Sequence, residues 1–116
     1  MSELKYERVD PIGREQAIRD FASSDPHIVA TALYAVVRSD EDTGWLEDEC
    51  LKRLDSSEVE IRWAAATCLG DLAFLRCPLD ARRVIPALVK ATQDPTISDP
   101  ASFSLSMVRQ FAKSRE

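Results

Sequence analysis

From Ile61 to Ala73 the chain is apolar at nearly every step, with Arg62 and Asp71 its only charges. Ile61, Ala65, Leu69 and Leu72 recur at helical spacing, and Trp63, Ala66, Gly70 and Ala73 form a second stripe. A helix apolar on two sides must be covered on two sides, so this segment is predicted to be the middle layer of stacked helices. Elsewhere the apolar positions fall on single stripes. They predict helices near 12–23 (Ala17, Ile18, Phe21 inward), 25–38 (Ile28, Val29, Ala32, Leu33, Val36, Val37) and 44–54 (Trp45, Leu46, Cys50, Leu51, Leu54). The doubly apolar helix covers about 58–76. Two more follow near 80–92 (Val84, Ile85, Leu88, Ala91) and 99–114 (Phe103, Met107, Val108, Phe111). No alternation is long enough for a strand. Residues 1–116 read as a single helical domain, with 1–9 an irregular arm.

Helix boundaries are marked by chemistry. Four prolines follow aspartate, at Asp10-Pro11, Asp25-Pro26, Asp94-Pro95 and Asp99-Pro100. Asp accepts backbone N–H bonds at a helix start, and Pro in the first turn forfeits no intrahelical bond. Ser57-Glu58-Val59-Glu60 has the spacing of a capping box.

Overlaying the second and fourth helices at an offset of 33 aligns Ile28 with Ile61, Ala32 with Ala65 and Val36 with Leu69. Leu51 and Leu54 then stand against Leu88 and Ala91 more loosely at 37, and Ile97, Ala101 and Leu105 continue the stripe at an offset of 36. A helix pair recurring at this length marks an α-solenoid. Ile61-Arg62-Trp63-Ala64-Ala65-Ala66-Thr67-Cys68-Leu69-Gly70 resembles the first helix of a HEAT repeat, and Val84-Ile85-Pro86-Ala87-Leu88-Val89 followed by Asp94-Pro95 is similar to the second. The likeness is good over 55–95, faint over 24–55, and departs from the pattern at Pro100. It implies an all-α fold: a short right-handed stack of about six antiparallel helices, a HEAT-repeat-like α-solenoid of the kind found in small bacterial proteins. It says little about activity.

Composition narrows the function classes. No apolar run approaches a membrane span, and residues 1–20 are too charged for a secretory signal. Cys50, Cys68 and Cys77 form no Cys-x-x-Cys pair, and two lie in apolar helical patterns, which suits reduced thiols and a cytoplasmic location. The net charge of −5 is unevenly placed. Residues 39–60 hold nine acids against Lys52 and Arg53, a net of −7, whereas 61–116 sum to +3. Acids at a helix start complement its dipole, but crowding so many costs self-repulsion that a basic partner would relieve.

Candidate chemistry is sparse. His27, the single histidine, sits in a first helical turn, and no His/Cys set has metal-ligand spacing. Neither a nucleophile elbow nor a phosphate loop occurs, so no catalytic residue, metal or cofactor is expected. Glu47, Asp48 and Glu49 are consecutive on a helix and splay apart instead of converging for acid–base work. Some HEAT-like proteins are DNA glycosylases, and Arg76, Arg82, Arg83 and Lys90 would be the phosphate contacts, but a pI near 4.9 argues against nucleic acid.

The expected partner surface is therefore acidic: Asp40, Glu41 and Asp42 in a loop, then Glu47, Asp48 and Glu49, with Trp45 as aromatic anchor or core. The expected function is non-enzymatic binding of a basic protein, such as a nuclease toxin domain neutralised by an immunity protein. The alternative is a helical-repeat enzyme or lyase-like accessory with a concave pocket near Cys77, Tyr34 or Arg62. Apolar faces at the ends of so short a stack also suggest weak self-association.

Overall fold

The computed structural model describes residues 11–75 and 79–113, which form six helices and no strand. They are α1 (Arg14–Phe21), α2 (Pro26–Ser39), α3 (Thr43–Arg53), α4 (Val59–Leu75), α5 (Ala81–Ala91) and α6 (Ser98–Lys113). Each bound lies within two residues of the range set by periodicity and caps. Residue Cys77 and the 1–9 arm lie outside the described residues.

Aspartates open three of the helices. Asp25 accepts the His27 N–H at 2.9 Å with Pro26 in the first turn, Asp42 accepts from Trp45 at 3.0 Å, and Asp80 from Arg82 at 3.2 Å. Pro100 falls within the first turn of α6, where its missing N–H would have had no intrahelical partner. Asp94 instead folds a turn, accepting the N–H and hydroxyl of Thr96 at 2.9 and 2.6 Å. The capping box is not formed as the spacing predicts. Ser56 accepts the Glu58 N–H at 3.1 Å, and the Glu60 carboxylate reaches across to His27 Nδ1 at 2.8 Å.

Packing follows from the stripes. Helix α4 lies between α2 and α6, with α3 backing it; α1 packs on α2, and α5 on α6. Even-numbered helices thus make one layer and odd-numbered helices cover it. In α4, Ile61, Ala64, Ala65, Ala66, Cys68, Leu69, Gly70, Leu72 and Ala73 are all buried, as its double stripe required. The rest of the core comes from single stripes, including Leu33, Val36, Leu46, Cys50, Val84, Leu88, Ile97, Ala101 and Val108. Each large aliphatic side chain buried this way stabilises the fold by about 1.5–3 kcal/mol before entropy is counted. Two contacts between helices fall at a separation of 33: His27 meets Glu60, and Glu47 meets Asp80.

Four large residues expected inside face solvent: Ile18, Ile28, Trp63 and Phe103. The first two have a simple cause. Helix α1 is at the end of the stack and needs one buried side, filled by Ala17 and Phe21, while α2 turns Val29 and Ala30 inward ahead of Ile28. Phe103 is displaced by a close approach. A Cβ on Gly70 would lie 3.0 Å from the Ser104 Cβ and 3.1 Å from its Cα, and the Ser104 hydroxyl donates to the Ala66 carbonyl at 2.6 Å. The α4–α6 seam is too narrow for a phenyl ring, so Ala101, Ser104 and Val108 occupy it and Phe103 is turned out.

Candidate functional site

The acidic segment forms a shoulder where α2 ends and α3 begins. Its carboxylates are not left facing one another. Arg14, from α1, grips Asp40 with a two-pronged contact, Nε to Oδ2 at 2.9 Å and Nη2 to Oδ1 at 2.8 Å, and lies 3.3 Å from Asp42. These bonds, Asp40 foremost, raise the guanidinium pKa and hold its charge in place. The Asp42 N–H donates to Asp40 Oδ1 at 2.8 Å, so the loop is fastened before α3 starts.

Trp45 is consumed internally. Arg14 lies over its ring at 4.3 Å, the ring is 6.5 Å from Phe21, and Arg53 lies over Phe21 at 4.0 Å. This cation–ring–ring–cation stack fastens α3 to α1. Arg53 also pairs with Glu49 at 2.5 Å, and Lys52 approaches Glu49 at 3.4 Å, so Glu49 is mostly covered. Asp48 remains outward but pairs with Arg83 of α5, whose pKa is raised chiefly by that bond.

Glu47 departs most from the expected surface. Only 4% of it is exposed. One oxygen accepts the Asp80 N–H at 2.8 Å, at the start of α5, and the other lies 3.6 Å from Arg83. It joins α3 to α5 and is withdrawn from the surface. Of the predicted set, Glu41, Asp42 and Asp48 present exposed side chains, Asp40, Trp45 and Glu49 are half-buried, and Glu47 is buried. What sequence reasoning missed is the counter-charges brought from a distance, Arg14 and Arg83. The repeat offered one signal, since pairing the second helices of successive units sets the start of α5 near α3.

Of the residues named for a concave pocket, Arg62 lines a groove that Tyr34 does not, and Cys77 lies outside the described residues. Arg62 borders an open groove of about 420 Å³ between α3 and α5, lined also by Leu51, Leu54, Lys90 and Asp94. Its donors are committed to structure: Nη1 to the Ser56 carbonyl at 2.9 Å, Nη2 to the Thr96 hydroxyl at 3.0 Å, and Nε 3.2 Å from Asp94. The Nε geometry is that of an ion pair without a well-directed hydrogen bond. Tyr34 lies on α2 beside Thr67, its phenol pushed up to about 12, mainly by burial. Burial likewise pushes the Cys68 thiol well up, beside the equally buried Cys50. Among the described residues no cluster of His, Cys, Asp and Glu could hold a metal ion, and no helix is long and apolar enough to cross a membrane.

No family model and no curated protein sequence matches the chain. Among solved structures, a chain in the crystal structure of a CDI complex from Cupriavidus taiwanensis LMG 19424 is similar over 96% of this chain and 97% of that one, with a TM-score of 0.83 and 22% identity. At that identity the likeness is one of fold. It runs from end to end, so the six-helix arrangement is shared as a whole and not as a local motif.

Proposed function

We propose that this chain is a non-enzymatic, HEAT-repeat-like binding module that neutralises a basic toxin domain, an immunity protein acting in the cytoplasm. The observation that carries the reading is the end-to-end likeness to a chain of a CDI complex, a toxin–immunity system. Charge agrees with it: the chain carries −5, and Glu41, Asp42 and Asp48 keep carboxylates toward solvent although arginines partner two of them. Such a field draws a cationic partner in and speeds encounter more than it sets final affinity.

The test is co-expression with the toxin domain of the large secreted protein that this reading places immediately upstream of the chain's gene. Growth arrest by that domain should be relieved, and the two should copurify. Glu41→Lys with Asp48→Lys should slow association about tenfold at low salt, and the difference should shrink as salt rises. No rescue and no binding would reject the reading.

A further inference from the structure

We propose that the partner docks on the outer face of the α2–α4–α6 layer, around Trp63 and Phe103; this rests on the toxin-binding reading above. Helical phase defines the face. In α4, Ala66 and Gly70 meet Ser104 of α6, and Leu69 and Leu72 point to the core. The outward stripe is therefore Glu60, Trp63, Thr67, Asp71 and Phe74. In α6, Ser104 meets α4 while Ala101 and Val108 point inward, which leaves Phe103 outward along the same seam.

The polar members of the α4 stripe have intramolecular partners on α2 at the repeat offset. Glu60 meets His27, Thr67 bonds Tyr34, and Asp71 feels the charge of Arg38. Phe74 packs edge-on against Phe111 at 6.1 Å. Trp63 and Phe103 differ. They are 43% and 65% exposed, and no ring, cation or hydrogen-bond contact engages either among the described residues. Aromatic side chains of this size gain most when a partner desolvates them, and Trp is the residue most enriched in binding hot spots.

Charge selects the occupant. Glu60 and Asp71 share the outward stripe of Trp63, and Asp99 lies one turn before Phe103, against His27 and Arg38 on α2. Glu60, at the end of the acidic 39–60 segment, thus reaches this surface with a histidine as its partner, whereas the loop and α3 portions are paired with the arginines Arg14, Arg53 and Arg83. A basic protein surface with an apolar ridge is complementary to it. A second copy of this chain would bring like charges together, which disfavours self-association through this face.

The experiment compares two double variants in binding the upstream-encoded toxin domain, with circular dichroism and thermal unfolding as folding controls. Because both aromatics stand in solvent, Trp63→Ala with Phe103→Ser should leave helicity intact. It should raise Kd by about 30-fold or more, through faster dissociation. Glu41→Lys with Asp48→Lys should change association rate alone. An unchanged Kd for the aromatic variant, with wild-type binding intact, overturns this placement and leaves the toxin reading standing. If the wild type binds no toxin but forms a dimer that the aromatic substitutions dissolve, the face belongs to a second copy and the proposal fails. Neither toxin binding nor a dimer overturns both.

Discussion

Glu47 and Asp71 illustrate how differently two carboxylates in one small helical protein are used. Glu47 is buried, accepts a backbone N–H and faces an arginine, so removing it leaves the Asp80 N–H without its acceptor. Glu47→Ala is expected to cost about 1–3 kcal/mol, the usual penalty for leaving a withdrawn polar group without its partner, and urea unfolding would read it. Glu47→Gln retains an acceptor and should cost less. Asp71 lies on the opposite layer, where burial raises its pKa from 3.8 and the charge of Arg38 opposes the rise. The folded state therefore binds this proton more tightly than the unfolded chain does. Stability should fall as pH rises from about 3.8 through the raised folded value. Asp71→Asn should remove that slope and gain on wild type at neutral pH, with the gap closing in acid. Parallel unfolding curves across pH would check the sign.

At the scale of elements, α4 was the most legible part of the sequence. Its double stripe could only be satisfied by cover on several sides, and α2, α3 and α6 supply that cover. Caps were legible for the same reason that they work: Asp25, Asp42 and Asp80 satisfy N–H groups that every helix start leaves open. The direction of Trp63 and Phe103 was not legible. A stripe rule treats all apolar residues alike, whereas beside Gly70 the α4–α6 seam admits only small ones because the backbones approach closely there. Gly70→Ala should force Ser104 and its backbone apart and strain the bond to Ala66. A loss of about 1–3 kcal/mol, seen as a lowered thermal midpoint with unchanged helicity at 20 °C, is expected. A fully tolerated alanine would show that the seam yields.

For the whole molecule, the described part spans 37 × 32 × 31 Å, short enough that every helix lies near an end of the stack. Charge read along the chain suggested one unrelieved acidic face. In three dimensions Arg14 comes 26 residues from upstream to Asp40, and Arg83 comes 35 residues from downstream to Asp48. The net charge is unchanged, but its local excess on α3 is reduced and the outward acids are spread over two surfaces. On the function proposed above, a basic partner would be drawn toward the molecule as a whole, with contact made where exposed aromatics and acids coincide.

The sequence by itself determined the number, limits and order of the helices and the central place of α4. Those depend on local spacing, capping and the need to cover apolar stripes, all of which are written in consecutive residues. Only the tertiary structure decided that Glu47 is a buried tie, that Trp45 is spent between Arg14 and Phe21, and that Trp63 and Phe103 stand in solvent. Each of those depends on which side chains distant helices bring within a few ångströms, and neither periodicity nor charge counting along a chain contains those distances.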